Sequence, residues 1–245
     1  MNATLKMTWT EFKLLLRNPV AVGFTVPFPV MLILIFGLIW GNTPNPQFGG
    51  YGMIDVLVPA YLALIIVTAG LMNLPVALAA RREQGVLRRF RATPLHPSVV
   101  LGSQISVNLF LAGIGAILTI VVARLLFNLK LPEEPVAVAL AFALGCLSFF
   151  ALSFIIAGLA RTADAARSIG MALFFPMMML SGAALPRALM PETVQRISEF
   201  LPMTQVVILM QSLWFGGGWI VVSVVMLIGL MIFGAAVSTR TFRWE

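Results

Sequence analysis

Residues 81–97, RREQGVLRRFRATPLHP, decide how the rest of this sequence is interpreted. The segment holds five arginines and one acid, and it lies between two long apolar runs. Val86, Leu87 and Phe90 recur within it at helical spacing, which gives a short helix an apolar contact face. A solvated basic loop does not need such a face. We therefore expect this segment to bind a soluble partner.

The composition places the chain in a membrane. Hydrophobic residues make up 60% of the sequence and charged residues 10%, whereas soluble domains contain about 25% charged residues. Several uncharged runs reach the length of about 20 residues that a helix needs to cross the hydrocarbon core. These features predict an all-α polytopic membrane protein. The positive net charge is explained by basic cytoplasmic loops, so no nucleic-acid partner is expected.

Uncharged runs and turn signals predict six transmembrane helices, preceded by a helix that lies in the membrane interface. Residues 4–18 are the predicted interfacial helix, because apolar and aromatic residues lie on one face and Lys6, Lys13 and Arg17 on the other. The six predicted spans are residues 20–40, 56–80, 99–122, 135–160, 168–184 and 219–237.

A less regular segment precedes the last span. Residues 186–200 carry both charges and apolar positions, and Gly216–Gly218 divide the uncharged run that follows. We therefore expect residues 186–215 to form short external or re-entrant helices. Irregular backbone at membrane depth is tolerated only where it is buried in protein or lines a cavity.

The basic residues predict the orientation. With six spans, both termini, residues 81–97 and residues 161–167 share one side of the membrane. That side carries twelve lysines and arginines and the other side carries four. By the positive-inside rule the first side is cytoplasmic. We expect a multi-pass protein of the cell inner or plasma membrane with both termini in the cytoplasm.

Catalytic chemistry finds little support. The chain has one histidine, His96, and one cysteine, Cys146, and it lacks the GxSxG, HExxH and GxxxxGK[ST] motifs. We therefore predict no catalytic residue, no metal site and no cofactor in this chain. Polar residues inside the spans either bond between helices or line a pathway. The pathway candidates are Thr68, Asn73, Asn108, Met178 and Gln205.

Three features together carry a family resemblance. They are the amphipathic N-terminal helix, the sequence REQGVLRRFRATPL at 82–95, and LPRALMPETVQRISEFLPMTQVVILMQSLW at 185–214. In this order they resemble the permease subunits of ABC-2 type transporters, nearest the drug and antibiotic exporter branch. The resemblance implies two copies of a separate ABC ATPase that binds ATP and Mg, a second permease (identical or homologous) and surrounding membrane lipids as partners.

The resemblance also implies roles for individual residues. The segment after the second span would be the coupling helix that docks on the ATPase. Its matching positions are Glu83, Gly85, Val86, Leu87, Arg88, Arg89, Phe90, Arg91, Ala92, Thr93 and Pro94. The external segment would cap the pathway, with Pro186, Phe200 and Pro202 as the external gate. The implied function is ATP-driven export of a hydrophobic or amphipathic small molecule by alternating access.

Other functions remain open from the sequence. Permeases that export polysaccharides or glycolipids look similar. A passive channel or membrane anchor would work without nucleotide. An intramembrane enzyme, such as a lipid transferase or protease, would act on lipid or peptide without ATP or a partner.

Overall fold

The computed structural model describes residues 9, 12–13, 22–23, 25–85 and 97–241. These residues form helices joined by short loops, and none of them lies in a β-strand. Five helices are long and apolar enough to cross a membrane. The prediction of an all-helical chain with several membrane-length helices is confirmed. The exact arrangement of six spans and their boundaries stay predictions.

Among the described residues, nine α-helices have defined bounds and are numbered in chain order. They are α1 (Pro27–Trp40), α2 (Met53–Val67), α3 (Leu74–Glu83), α4 (Pro97–Phe127), α5 (Pro135–Leu159), α6 (Ala163–Leu180), α7 (Glu192–Ser198), α8 (Pro202–Trp214) and α9 (Val221–Thr241). A π-helical segment, Thr68–Asn73, joins α2 to α3 without a break. Short 3-10 turns lie at Pro46–Phe48 and Arg187–Leu189.

The continuous helix Met53–Glu83 forms the centre of the bundle. Every residue of α2 from Leu57 to Val67 is buried. Helices α4, α5 and α8 pack against α2, and α6 and α5 pack against α3. Because the central helix crosses the bundle, its termini define two ends, called here the Asp55 end and the Arg82 end.

The ends of α4 and α6 differ from those of the predicted spans. Helix α6 begins before residue 168 because Thr162 Oγ1 accepts a hydrogen bond from Ala165 N at 3.1 Å and caps it. It ends at Leu180, before the predicted end at residue 184, and Gly182 just after it takes a φ of 100°. Helix α4 runs past residue 122. Near its end, Arg124 donates a hydrogen bond to Leu129 O at 2.7 Å, so the charge of this arginine has a partner.

The first predicted span and the interfacial helix are described only in part. Helix α1 has 14 residues, fewer than a bilayer crossing needs. Residues 22, 23 and 25 before it are also helical. Of residues 4–18, Trp9, Phe12 and Lys13 are described and helical. Phe12 meets the ring of Phe110 in α4 edge-on, with centroids 5.5 Å apart.

The π-helical segment has an identifiable cause. Pro75 has no N–H, so the carbonyl of Leu71 lacks its usual helical partner. In the π segment, Leu74 N instead bonds to Ala69 O, five residues back. Neighbouring helices approach closely here: Ser153 Oγ of α5 donates to Gly70 O, and Gly170 of α6 lies against Leu71 O. The segment therefore marks the point where α5 and α6 contact the central helix.

Candidate functional site

The Arg82 end holds Glu83, the first of the predicted coupling positions, next to Arg82. Glu83 Oε2 accepts a hydrogen bond from Ala163 N at 3.1 Å, so the carboxylate lies at the N-terminus of α6. Arg82 Nη2 donates to the carbonyl of Ala160, where α5 ends. Both bonds join the end of α3 to residues 160–163. These contacts could not be predicted from the sequence, because the bonded residues are 78 and 80 positions apart.

Helix α3 stops directly after these contacts. Gly85 takes a φ of 69°, in the left-handed region where a side chain would be strained. Its N–H bonds to Arg82 O at 3.0 Å. The remaining coupling positions lie outside the described residues: Val86, Leu87, Arg88, Arg89, Phe90, Arg91, Ala92, Thr93 and Pro94. Their roles stay predictions.

Small side chains bring α3, α5 and α6 together beside the Arg82 end. Ala79, Ala160 and Ala166 are all buried and pack as one cluster, with Val76 and Ala165 at its edge. Small residues let helix backbones approach closely, which is how helices associate in a membrane. The end of α3 is therefore held by packing as well as by hydrogen bonds.

Two pathway candidates lie in the π segment, and both are engaged inside the protein. Asn73 Nδ2 donates to Thr25 Oγ1 at 2.6 Å, which joins the central helix to the residues before α1. Thr68 Oγ1 donates to Leu64 O of its own helix at 2.7 Å. Both side chains are buried. The sequence left two roles open for these residues, hydrogen bonding within the protein and lining a pathway. The observed bonds agree with the first role.

Asn108 presents a different situation. Its side chain is 2% exposed, and its Nδ2 donates to Gln104 O at 2.9 Å. Within the described part of the chain, Asn108 Oδ1 and Gln104 Nε2 have no hydrogen-bond partner. An unpaired polar atom buried at membrane depth is costly. A donor and an acceptor one helical turn apart on α4 are thus available to water or to a ligand.

Helix α8 and the turn before it form the segment that was predicted to be external or re-entrant. Helix α8 ends at the Asp55 end, where Trp214 Nε1 donates to Lys130 O at 2.9 Å. Its first residue, Pro202, lines one groove together with Leu227, Leu230 and Phe233 of α9. Since α9 starts at residue 221, these positions are about 9–18 Å along its axis. The turn before α8 therefore lies well below the Asp55 end.

This turn carries two of the predicted gate residues. Phe200 is 81% exposed, and Pro202 borders an apolar groove of about 260 Å³ with Met226, Leu227, Gly229, Leu230 and Phe233. The third gate residue, Pro186, is buried and starts the 3-10 turn Arg187–Leu189. Phe200 and Pro202 are thus close to one another, and Pro186 belongs to the preceding loop.

An ion pair and a buried amide hold the turn. Arg187 Nη2 lies 2.9 Å from Glu199 Oε1, and the arginine side chain is 13% exposed. Gln205 Nε2 donates to Glu199 O at 2.6 Å, while Gln205 Oε1 accepts from Ser223 Oγ of α9 at 2.7 Å. Gln205, a pathway candidate, therefore connects the turn to the last helix.

Replacing Gln205 by leucine should destabilise this region. Leucine leaves the Ser223 hydroxyl and the Glu199 carbonyl without partners, at a cost of about 1–2 kcal/mol. We expect Tm in detergent to fall by about 2–4 °C for each kcal/mol lost. Gln47→Leu is the matched control, because Gln47 is exposed. Equal Tm values for the two variants would contradict this role of Gln205.

The methionines of α6 divide between core and surface. Met177 is buried, Met178 is half-buried against the core, and Met171 and Met179 are exposed. Phe175 adds a further exposed apolar side chain to the same helix. The pathway candidate Met178 thus lies at the boundary between the core and an apolar surface.

The Asp55 end contains a buried carboxylate network that the sequence analysis missed. Asp55 is 1% exposed and accepts hydrogen bonds from Asn42 Nδ2 at 3.0 Å, Gly52 N at 3.0 Å and Lys130 N at 2.9 Å. Asn42 Oδ1 in turn accepts from the N–H groups of Ile54 and Asp55. The network, called here the Asp55 network, joins the end of α1, the start of α2 and the loop after α4.

The end of α8 is attached to the same network. Besides the bond from Trp214, Gln211 Nε2 donates to Val56 O at 3.1 Å, and the ring of Phe215 lies 4.1 Å from that of Tyr51. Lys130 Nζ lies 4.8 Å above the Tyr51 ring. Helix α8 is thus fixed at its Trp214 end, and the exposed Phe200 lies just before its other end, Pro202.

Comparison with known proteins gives the family context. The profile of the family described as ABC-2 type transporter matches residues 2–215. A protein of Bacillus subtilis (strain 168), named as a transport permease, YvfS, is 24% identical over 205 residues. The alignment covers 82% of this chain and 81% of that protein.

Proposed function

Because the chain belongs to the ABC-2 type transporter family, we propose that it is the membrane-spanning permease of an ATP-driven exporter. It is a multi-pass membrane protein and a transport permease by family. The observation that carries the proposal is the family match over residues 2–215, which includes the basic segment between two membrane-length helices. The cargo is a hydrophobic or amphipathic small molecule, moved out of the cytoplasm.

ATP hydrolysis belongs to a partner. The sequence has no phosphate-binding loop of the GxxxxGK[ST] type, so two copies of a separate ABC ATPase would bind ATP and Mg. Residues 86–94 would dock on them. Gly85 ends α3 at the start of this segment, and the contacts of Arg82 and Glu83 hold that end in place. A movement of the docked segment would therefore reach the bundle over a short connection.

The charge distribution supports the orientation. The Arg82 end would face the cytoplasm, together with both termini, because most cations lie on that side. The Asp55 network and the re-entrant turn would then belong to the outer half of the protein. Phe200 and Pro202, beside the apolar groove, suit an external gate that apolar cargo passes.

The apolar surfaces favour an apolar cargo over a polysaccharide. The groove at Pro202 is lined by apolar residues, and α6 exposes Met171, Phe175 and Met179. Flexible methionine side chains adapt to varied apolar ligands. Asn108 and Gln104 add a buried acceptor and donor to the predicted pathway. A second permease, identical or homologous, would complete the pathway across the interface.

Copurification tests the proposal. Tagged protein extracted from its host membrane is expected to bring down an ABC ATPase at about one copy per permease, identified by mass spectrometry. Leu87→Asp, or Arg88→Glu with Arg89→Glu, should lower the recovered ATPase at least tenfold and abolish ATP-dependent efflux of hydrophobic dyes. Reversed charge and a buried carboxylate both oppose docking.

Arg196→Glu is the matched control. It reverses a charge in an exposed pair with Glu192, in the segment predicted to be external, and should leave copurification unchanged. Normal ATPase recovery and efflux by a stably inserted Arg88→Glu, Arg89→Glu variant would refute the docking role. Absence of any ATPase from the wild-type preparation would refute the exporter itself and favour a channel, an anchor or an enzyme that works alone.

A further inference from the structure

We infer that Arg82 and Glu83 are positioning residues that make α3 and α6 move as one body when the ATPase moves residues 86–96. This inference rests on the proposed function and assigns a role that the family resemblance does not. The resemblance places Glu83 among the ATPase contacts. In this structure its carboxylate has a partner within the chain, at the first N–H of α6.

The bond from Ala163 N to Glu83 is electrostatically favourable. The first N–H groups of a helix lack partners within the helix, and its N-terminus attracts negative charge. The hydroxyl of Thr162 satisfies Ala165 N, and Glu83 satisfies Ala163 N from a different helix. The start of α6 is therefore bonded both to its own chain and to the end of α3.

A second bond acts beside the first. The guanidinium of Arg82 donates to Ala160 O, on the other side of the 161–162 turn from Ala163. Adjacent residues of α3 thus hold both sides of the turn between α5 and α6. A bond to one side alone would allow the turn to pivot, whereas bonds to both sides restrict its rotation relative to α3.

Packing extends the connection along α6. Ala79 and Ala166 pack together near the turn, and further along Gly170 lies against the carbonyl of Leu71. Close backbone contact over these two levels leaves little room for α3 and α6 to slide. The Glu83 bond to the start of α6, the Arg82 bond to the adjoining end of α5, and packing against α3 and the π segment therefore hold the first half of α6 to the central helix.

Movement of the coupling segment would reach α6 through the end of α3. Gln84 and Gly85 alone separate Glu83 from residue 86, so displacement of the coupling segment acts directly on this united pair. Helix α6 then carries the displacement to its exposed apolar face, which includes Met171 and Phe175. Helix α2 lies beyond the π segment, and its far end is held by the Asp55 network.

The experiment uses the permease–ATPase complex in lipid nanodiscs. A fluorescent probe on a cysteine at Met171, which is exposed, reports movement of α6 when ATP and vanadate are added. Glu83→Ala should reduce the nucleotide-dependent signal at least threefold while ATPase recovery stays within twofold of wild type. Glu83→Gln should retain most of the signal, because the amide oxygen still accepts from Ala163 N.

Arg161→Ala is the control in the same turn, because Arg161 is exposed and makes no hydrogen bond or ion pair among the described contacts. It should leave the signal unchanged. Loss of ATPase recovery in Glu83→Ala would overturn the inference and return Glu83 to the ATPase contacts. A full probe signal in that variant would overturn it as well.

A cross-link keeps the test decisive if Glu83→Ala does not fold. Cysteines at positions 79 and 166, whose alanines share one cluster, can be joined by oxidation, while the native Cys146 is buried. Joining two elements that already move together should leave ATP turnover and the probe signal unchanged. Loss of either on oxidation, reversed by reductant, would show that α3 and α6 separate. The probe and cross-link results do not depend on the identity of the cargo. Both experiments require the wild-type permease–ATPase complex. If that complex did not form, the proposed function would be contradicted, and not this inference.

Discussion

Asp55→Ala is expected to prevent the accumulation of folded protein or to lower its Tm steeply. Alanine leaves Gly52 N and Lys130 N without their acceptor in a site that is 1% exposed, and the Asn42 amide keeps only its bond to Phe127 O. Each unsatisfied buried donor costs about 1–3 kcal/mol, so the total is about 2 kcal/mol or more. Native proteins are stable by only about 5–15 kcal/mol, so a loss of this size removes a large part of the total.

Size-exclusion profiles and thermal unfolding in detergent measure this effect. Asp55→Asn should lie between wild type and alanine, because one side-chain oxygen still accepts. Glu134→Ala is the control, since Glu134 is an exposed acid near the same end. If Asp55→Ala unfolded at the same temperature as Glu134→Ala, the Asp55 network would contribute nothing to stability.

Gly170→Ala is expected to have a comparably large effect for a steric reason. A Cβ at this position would overlap the carbonyl oxygen of Leu71, which belongs to the backbone of the π segment and cannot rotate away. Helix α6 must then move off the central helix, at a cost of about 2 kcal/mol or more. Thermal unfolding and ATP turnover of the complex should both fall.

Gly113→Ala is the control, and it is expected to change stability in the opposite direction. A Cβ at Gly113 in α4 meets nothing within 4 Å, and alanine favours a helix over glycine by about 1 kcal/mol. This variant should therefore be as stable as wild type or slightly more so. If both alanines had the same effect, helix propensity and not close packing would decide the role of Gly170.

The sequence predicted the features that depend on local composition. Uncharged runs located the membrane-length helices, and the glycines at 216–218 separated the short α8 from α9. The Glu83–Ala163 and Asp55–Lys130 bonds could not be predicted, because each joins residues more than seventy positions apart. In the sequence, Asp55 only separates two long uncharged runs, and that pattern does not indicate a buried partner.

The pathway candidates show the same limit. Polarity within a span identified Asn73, Asn108 and Gln205. It did not indicate which of their side chains would find hydrogen-bond partners inside the protein. Asn73 and Gln205 have partners on other segments, whereas an atom of Asn108 has none in the described chain. That difference depends on which helix faces which, and periodicity in one sequence does not contain it.

The π segment also determines how far α3 is rotated about the helix axis relative to α2. A helix with 3.6 residues per turn rotates by about 100° for each residue added or removed. Deleting one residue within Thr68–Asn73 would therefore turn the face of α3 that carries Arg82 away from Ala160. Membrane span length alone would tolerate the deletion. The number of residues between the Asp55 network and Glu83 is thus fixed by rotation as well as by distance.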